Sequence, residues 1–298
     1  MSQFSRRSFI AAATGAAACL GSLPARGAEP SPAPPPQVPL GNTGITMSRV
    51  GQGTGMSGGN RQSNHTRMGI GKFTELVNHA FQRGITFFDL ADLYGTHVYF
   101  REAMKSIPRE KYTLLTKLWW RYDGPGDPRN EPWRTRAAAT ALERFRHELT
   151  TDYIDIVLLH CMTDARWPQQ LRPYMDALDE AKAKNTVKAV GVSCHDFESL
   201  KVAAECPWVD VVLARINPDG AKMDAATDQV VPVLRRIKEN GKALIGMKIL
   251  GEGTLANRAE RCIEFAQGLG LLDTMTIGFE KPPQIDEILR LAEKYPAA

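Results

Sequence analysis

Short apolar runs alternate along this chain with longer stretches in which apolar residues recur at helical spacing. The runs are ITFFDLA, YTLLTKL, IDIVLLH, KAVGVS, VDVVLARI, ALIGMKI and TMTIGF, and residues 49–53 make an eighth at the start. The helical stretches cover residues 72–83, 98–106, 134–150, 169–184, 197–205, 228–240, 258–267 and 283–294. Near-continuous apolar strands between helices are typical of a parallel sheet covered on its outside. Eight such units favour a closed α/β barrel over an open sheet.

Four chemically active residues stand where these apolar runs meet polar loops. Asp89 and Tyr94 follow the first full run, Lys117 ends TLLT, and His160 ends IDIVLL. In a parallel barrel the carboxyl ends of the strands form the active-site face. A buried lysine is costly unless a carboxylate pairs with it, and Asp89 on the preceding strand is the candidate. The sequence therefore predicts one polar cluster at this end of the barrel.

The spacing DxAxxY, followed by TK and then by DYIDIVLLH, resembles the aldo-keto reductase superfamily. Residues 40–54 are similar to the short opening β-hairpin and first strand of that family, and residues 187–193 and 243–253 to its fifth and seventh strands. The resemblance extends from about residue 38 to about residue 291. It implies a single (β/α)8 TIM-barrel domain and an NAD(P)-dependent oxidoreductase. No GxGxxG in the context of a dinucleotide-binding βαβ unit is present, so the NAD(P)H cofactor would bind without a Rossmann fold.

The resemblance also implies a role for each of the four residues. Tyr94 would be the general acid that protonates a carbonyl oxygen, and a nearby cation would lower its pKa. Lys117 would be that cation, Asp89 would hold Lys117, and His160 would orient the carbonyl. The substrate would be an aldehyde, a ketone or a sugar carbonyl. The alternative is a structural polar network that closes the top of the barrel.

Several cofactor positions depart from the family pattern. Cys194 follows Ser193 where relatives usually have Asn, Leu213 replaces a common Gln, and Met247 replaces a stacking aromatic residue. The predicted cofactor-binding set is Ser193, Cys194, Asn217, Met247, Lys248, Gly278, Phe279, Glu280 and Gln284. Gln284 stands where NADPH-dependent relatives have an arginine, and Glu280 is suited to a ribose diol. The choice between NADH and NADPH therefore stays open.

Aromatic residues and one further histidine are predicted to contact the substrate. Trp119, Trp120 and Tyr122 follow Lys117 on its loop, and their rings could stack on a sugar or line an apolar pocket. They could equally pack within a lid. His195 directly follows the fifth strand and is either a second acid–base or substrate group or a loop histidine bonded to the backbone.

The N-terminus has the features of an export signal. Arg6 and Arg7 form a twin-arginine pair, followed by an apolar stretch over residues 9–20 that is short for a membrane span. We predict a signal peptide over residues 1–27, a Pro-rich linker over 28–37 and the barrel over 38–298. The chain would leave by the twin-arginine (Tat) machinery, without a stable membrane anchor, for the periplasm. The alternative for residues 1–27 is an Ala-rich tail.

The net charge and the cysteine spacing limit the kinds of binding partner that we expect. The formal charge is +4, but residues 1–27 contribute three arginines and no acid, so the remaining chain is almost neutral. No basic field indicates nucleic acid or an anionic membrane surface. Cys161, Cys194, Cys206 and Cys262 remain without a CxxC or another metal-binding spacing. They are either thiols or, for Cys161 and Cys194 on neighbouring strands, a disulfide that an exported protein could form.

Three classes of function follow from these residues. The leading hypothesis is an exported carbonyl reductase with a nicotinamide cofactor. A second is an aldolase-type barrel in which Lys117 forms a Schiff base. A third is a non-catalytic descendant that binds a cofactor or a sugar as a sensor.

Overall fold

Eight parallel strands close into a barrel in the structure, a computed structural model that describes residues 31–120 and 131–298. The strands are β3 (Val50–Gly53), β4 (Phe87–Asp89), β5 (Thr113–Leu118), β6 (Ile154–Met162), β7 (Val187–Cys194), β8 (Val211–Arg215), β9 (Ala243–Met247) and β10 (Thr274–Ile277). They pair in sequence order, and β10 returns to β3 to complete the ring. The predicted (β/α)8 barrel is confirmed.

An antiparallel hairpin precedes the barrel, as the resemblance implied. It consists of β1 (Gln37–Pro39) and β2 (Thr46–Ser48), with Val38 opposite Met47. Leu40, Ile45 and Met47 are buried in one cluster with the inward-facing residues of the strands. The hairpin therefore closes the N-terminal end of the barrel with apolar side chains.

Apart from the short α1, which matches no predicted stretch, the helices lie close to their predicted bounds. They are α1 (Asn64–Arg67), α2 (Ile70–Gln82), α3 (His97–Met104), α4 (Glu131–Leu149), α5 (Trp167–Gln170), α6 (Arg172–Ala183), α7 (Phe197–Glu205), α8 (Thr227–Glu239), α9 (Ala259–Gly268) and α10 (Pro282–Lys294). The predicted helix over 169–184 is wrong as one element, because it divides at Leu171. Pro173 has no N–H to continue the bonds of α5, and α6 starts afresh with this proline in its first turn.

The strands separate two apolar layers. Inside the barrel, residues such as Phe87, Leu115 and Leu158 pack against one another, whereas the alternate residues pack outward against the helices. Gly51 faces the interior, where a Cβ atom would lie 2.2 Å from the Phe87 ring. A glycine is required there because the large Phe87 ring fills the space beside β3.

The part of the predicted Pro-rich linker that is described contacts the barrel. Pro34 packs against Gly84, and the carbonyl of Pro36 accepts the N–H of Arg49 at 2.8 Å. Gln37, the last residue of that linker, belongs to β1 and donates to the Gly84 carbonyl at 3.2 Å. The C-terminal part of this segment is therefore extended but docked. The predicted signal peptide, residues 1–27, lies outside the described residues.

No helix among residues 31–120 and 131–298 has the length and apolar character needed to cross a membrane.

Candidate active site

The barrel brings the four predicted catalytic residues together at the carboxyl ends of its strands. Asp89 ends β4, Lys117 lies near the end of β5, and His160 lies on β6. Because side chains alternate between the faces of a strand, each points inward, two residues beyond a member of the inner apolar cluster. Tyr94 ends a short 3-10 turn, Asp92–Tyr94, that follows β4.

Lys117 is the centre of this cluster, and its side chain is only 1% exposed. Its ammonium group donates to the Asp89 carboxylate, to the carbonyl of Leu90 at 3.0 Å and to the phenolic oxygen of Tyr94 at 3.4 Å. An ammonium has three N–H groups, so all three are engaged. The cation is therefore held in a fixed position beside the phenol.

Tyr94 links this cation to the imidazole of His160. Its hydroxyl lies 3.5 Å from His160 Nε2, and the two rings meet edge to face with centroids 5.6 Å apart. A carbonyl oxygen placed between them would meet the phenol and the imidazole together.

Burial determines the protonation of these groups. Burial lowers the pKa of Lys117, and Asp89 opposes that shift. Burial, followed by the charge of Lys117, lowers the pKa of His160 well below its ordinary value, so this imidazole is neutral near pH 7. Burial and the Asp89 charge raise the pKa of Tyr94. The expected lowering of the Tyr94 pKa is therefore wrong, because burial and the Asp89 charge raise it, and the phenol stays protonated as a proton donor must.

A groove of about 300 Å³ begins at Asp89 and Tyr94 and is lined by the segments that follow β3, β9 and β10. Six of the predicted cofactor residues line it: Met247, Lys248, Gly278, Phe279, Glu280 and Gln284. The Gln284 side-chain oxygen accepts the N–H groups of Glu280 and Lys281 at 2.8 and 3.0 Å. Gln284 therefore holds the turn that carries Glu280 at the start of α10.

Three other predicted cofactor residues have different partners. Asn217 donates to the carbonyls of Ala221 and Lys248 and accepts two backbone N–H groups, so its amide bonds its own loop and the segment after β9. Cys194 is buried in the outer layer beneath the helices. Ser193 Oγ is buried and accepts the N–H of Cys161 at 2.9 Å. In the structure Asn217 and Cys194 contact the protein itself, and their cofactor role stays a prediction.

The two tryptophans after Lys117 differ in their environment. Trp119 meets the His160 ring edge to face at 5.7 Å, at the rim of the site. Trp120 donates its indole N–H to the His160 carbonyl at 3.0 Å and packs against the outer core, so it fastens the end of β6. Tyr122 lies outside the described residues.

An irregularity in β6 turns Cys161 towards the mouth of the barrel. The pairing register with β7 shifts between Leu159 and Met162, and Cys161 has a φ of 61°. Regular alternation would point Cys161 outward after the inward His160, but this bulge brings its sulfur to 3.5 Å from His195 Nε2. Cys161 and Cys194 form no disulfide, because Cys194 faces the outer layer.

Comparison with known proteins identifies the family. The model of the aldo/keto reductase family matches residues 49–268. The chain belongs to the aldo/keto reductase family. As a member of it, the chain is an NAD(P)-dependent oxidoreductase.

Individual relatives are distant. The NADH-specific methylglyoxal reductase of Escherichia coli (strain K12) is 26% identical over 241 residues, 76% of this chain and 70% of that protein. A probable aldo-keto reductase of Glycine max is 31% identical over 163 residues, 52% of this chain and 44% of that protein. The solved aldo-keto reductase AKR11C1 from Bacillus halodurans superposes with a TM-score of 0.64 at 18% identity, covering 88% of this chain and 92% of that one. At this identity the superposition shows the fold alone.

Sequence reasoning missed two charged residues of this reductase at the mouth. Arg215 ends β8 and donates to Asp224 at 3.0 Å and to His195. The inward position of Arg215 could have been found, because it lies two and four residues beyond the inward Leu213 and Val211. Asp224 reaches it through a loop whose course the sequence does not encode in a simple pattern.

Two further missed residues support the groove. The carbonyl of Phe279 accepts a hydrogen bond from Gln52 at 3.1 Å and lies 2.7 Å from His65 Nε2. Both side chains are fully buried. They fix the segment after β10, which carries Glu280, against β3.

Proposed function

We propose that this enzyme reduces small aldehydes, with 2-oxoaldehydes such as methylglyoxal as the leading substrates, and uses NADH as the hydride donor. The observation that carries the proposal is the contact chain from Asp89 through Lys117 and Tyr94 to His160 at the inner end of the groove. The name of the Escherichia coli relative supports both the substrate class and the cofactor.

The lining of the groove fits a dinucleotide without a 2′-phosphate. Glu280 and Glu287 line it on the α10 side, and Glu252 lines it on the β9 side. Among the described residues that line the groove, Lys248 is the only lysine or arginine. Its ammonium group pairs with the Glu252 carboxylate at 3.0 Å. A carboxylate accepts hydrogen bonds from a ribose diol, whereas a 2′-phosphate needs an arginine or lysine. The charges therefore favour NADH over NADPH.

The four polar residues have separate tasks in this proposal. NADH, when bound, supplies the hydride that reaches the carbonyl carbon. Tyr94 donates its phenolic proton to the carbonyl oxygen, and the neutral His160 orients that oxygen. Lys117 stabilises the phenolate that Tyr94 becomes, and Asp89 keeps Lys117 in place.

The contacts of Lys117 favour this role over Schiff-base chemistry. A Schiff base forms from a neutral amine with room for a substrate carbon. All three N–H groups of Lys117 are instead donated to Asp89, Leu90 and Tyr94. A non-catalytic sensor would not need this arrangement beside the groove.

The enzymatic experiment compares the two cofactors on the full chain. We expect methylglyoxal-dependent oxidation of NADH, with kcat/KM for NADH at least about tenfold above that for NADPH, the scale of one charged hydrogen bond. Absence of methylglyoxal-dependent oxidation of either cofactor would contradict the reductase. Equal or better use of NADPH would contradict the role given to the glutamates.

We also propose that the chain is exported by the twin-arginine route to the periplasm, on the strength of Arg6 and Arg7 before an apolar stretch. Fractionation of cells that express the full chain should place the protein outside the cytoplasm. The double variant Arg6→Lys and Arg7→Lys should stay in the cytoplasm. Arg26→Lys, the matched change in the same segment, should be exported like the unchanged chain. Cytoplasmic retention of the unchanged chain would contradict export.

A further inference from the structure

Arg215 is the last residue of β8 and continues its inward row. Val211 and Leu213, four and two residues earlier, belong to the inner apolar cluster. The alternation therefore places the guanidinium group inside the mouth of the barrel, where its side chain is 19% exposed. The proposed reduction step makes no use of this charge.

The partners of Arg215 leave some hydrogen-bonding capacity unused. Its Nη1 donates to Asp224 Oδ1 at 3.0 Å, and its Nη2 donates to His195 Nδ1. Arg215 Nε and Asp224 Oδ2 are buried and have no hydrogen-bond partner among the described residues, so the exposed fraction of the Arg215 side chain does not include Nε. A guanidinium carries five N–H donors, so this pair does not saturate it.

The bond from Arg215 also fixes the hydrogen position on His195. A guanidinium only donates, so His195 Nδ1 must be the acceptor. Burial and the Arg215 charge lower the pKa of His195 to about 3, and the neutral ring must then carry its proton on Nε2. This Nε2 lies 3.5 Å from the Cys161 sulfur, and the His195 and His160 ring centroids are 6.3 Å apart. His195 therefore carries an N–H donor near the His160 ring, at hydrogen-bond distance from the Cys161 sulfur.

Arg215 and His195 together form a donor surface next to the proposed reaction centre. Guanidinium groups bind carboxylates through two parallel N–H bonds, which are stronger than neutral hydrogen bonds. Asp224 supplies the protein's own carboxylate on one side of Arg215. A ligand carboxylate would bind the N–H groups on Nη1 and Nη2 that Asp224 and His195 leave open.

We propose that Arg215, assisted by His195, binds a carboxylate on the carbon next to the reacting carbonyl, so that short 2-oxo carboxylates such as glyoxylate are substrates. This inference rests on the proposed reductase function. It makes Arg215 a specificity-determining residue, with the bound carboxylate directing the neighbouring carbonyl towards Tyr94 and His160.

The test compares two small aldehydes of similar size that differ in charge, glyoxylate and methylglyoxal. The measured quantity is the ratio of kcat/KM for glyoxylate to kcat/KM for methylglyoxal, with NADH. Arg215→Met should lower this ratio about 10- to 100-fold, the range of a charged hydrogen bond. Arg236→Met, which removes an exposed arginine paired with Glu205, is the matched control and should leave the ratio unchanged.

A second variant keeps the inference testable if Arg215→Met leaves Asp224 without its partner and fails to fold. Asp224→Asn removes the competing charge and retains Arg215, so the ratio should rise. Calorimetric titration with oxalate, a planar analogue of glyoxylate, gives a readout without turnover: binding should weaken in Arg215→Met and tighten in Asp224→Asn.

Other results would overturn the inference. An equal loss of activity towards both aldehydes in Arg215→Met, with unchanged oxalate binding, would show that Arg215 serves only as the structural ion-pair partner of Asp224. A larger dissociation constant for NADH in Arg215→Met, with an unchanged ratio of the two kcat/KM values, would show that Arg215 binds the cofactor instead. Turnover of methylglyoxal without turnover of glyoxylate or binding of oxalate by the unchanged chain would refute this inference alone, whereas turnover of neither aldehyde would refute the proposed reductase function.

Discussion

The two ends of the barrel consist of the same strands but carry opposite kinds of inward side chain. At the N-terminal end, Leu40 and Met47 of the hairpin complete an apolar cluster with no exposed surface of their own. At the C-terminal end, the inward positions hold Lys117, His160 and Arg215. One end is filled with apolar side chains, and the other holds polar and charged groups.

This difference separates stability from chemistry. Apolar side chains at the closed end contribute to folding by burial and need no partner. Ionisable groups at the mouth lose solvation, and several atoms there, including His160 Nδ1 and Asp224 Oδ2, have no hydrogen-bond partner among the described residues. The mouth therefore lowers stability in return for a preorganised site, as is common in enzymes.

The largest expected effect is at the mouth, for Lys117→Met. Loss of the cation beside Tyr94 should lower kcat by about 10²- to 10⁴-fold, and the buried Asp89 left behind should lower the free energy of unfolding by about 3 kcal/mol. Steady-state kinetics and denaturant unfolding measure the two effects. Adding Asp89→Asn should restore stability but not activity, and Lys105→Met, an exposed lysine paired with Glu102, is the control. Full activity in Lys117→Met would remove Lys117 from the chemistry.

The closed end should show the converse behaviour in Met47→Ala. Met47 is fully buried between the hairpin and the inner cluster, so its truncation should lower the free energy of unfolding by about 2–5 kcal/mol. The kcat of the folded variant should stay within about twofold, because the site lies at the other end of the strands. Met47→Leu, which keeps the volume, should cost less than about 1.5 kcal/mol. A selective loss of kcat would show that the two ends are coupled.

The pH dependence of the free energy of unfolding tests how much the buried Asp224 at the mouth lowers stability. Burial raises its pKa from 3.8 to about 6, with Arg215 opposing. Between pH 3.8 and 6 the folded state thus holds a proton that the unfolded state releases. The stabilising contribution of protonated Asp224 to the free energy of unfolding is therefore fully present below pH 3.8 and lost as the pH rises through 6. Above that pH, Asp224→Asn should be more stable than the unchanged chain by up to about 3 kcal/mol.

The measurement is the free energy of unfolding of both proteins between pH 4 and pH 8. The difference between them should grow across the titration of Asp224, and comparing the two proteins cancels the titration of all other groups. A difference that does not vary with pH would mean that Asp224 is ionised throughout.

The smallest expected effect concerns cofactor choice. Glu280→Lys replaces a carboxylate that lines the groove with a cation that attracts a 2′-phosphate. The ratio of kcat/KM for NADPH to that for NADH should rise about 10-fold or more. Glu264→Lys makes the same change at an exposed position of α9 and should leave the ratio as it was. No change in Glu280→Lys would place the nucleotide ribose elsewhere.

The fold and the polar cluster at the mouth were predictable because both follow from local patterns. Eight apolar runs between helical stretches specify the strands, and a polar residue at the inward end of a strand necessarily reaches the mouth. Asp89, Lys117 and His160 satisfy that rule directly. Tyr94 required the family resemblance, because its position depends on the turn after β4.

The remaining features depend on geometry that no local pattern contains. Alternation predicts an outward Cys161, but the bulge with φ 61° turns it inward. Asn217 fits the family spacing, yet its amide bonds its own loop. The raised pKa of Tyr94 follows from its burial and the Asp89 charge, which are known only from the packed structure.

The most direct test of the account is a single-turnover measurement on Tyr94→Phe loaded with NADH and mixed with methylglyoxal. Tyr295→Phe, which removes the hydroxyl of a tyrosine bonded to Glu260 near the C-terminus, is the matched control. We predict NADH binding close to that of the unchanged chain, with NADH oxidation slowed about 10³-fold in Tyr94→Phe alone. Oxidation at the unchanged rate in Tyr94→Phe would contradict the assignment of Tyr94 as the proton donor.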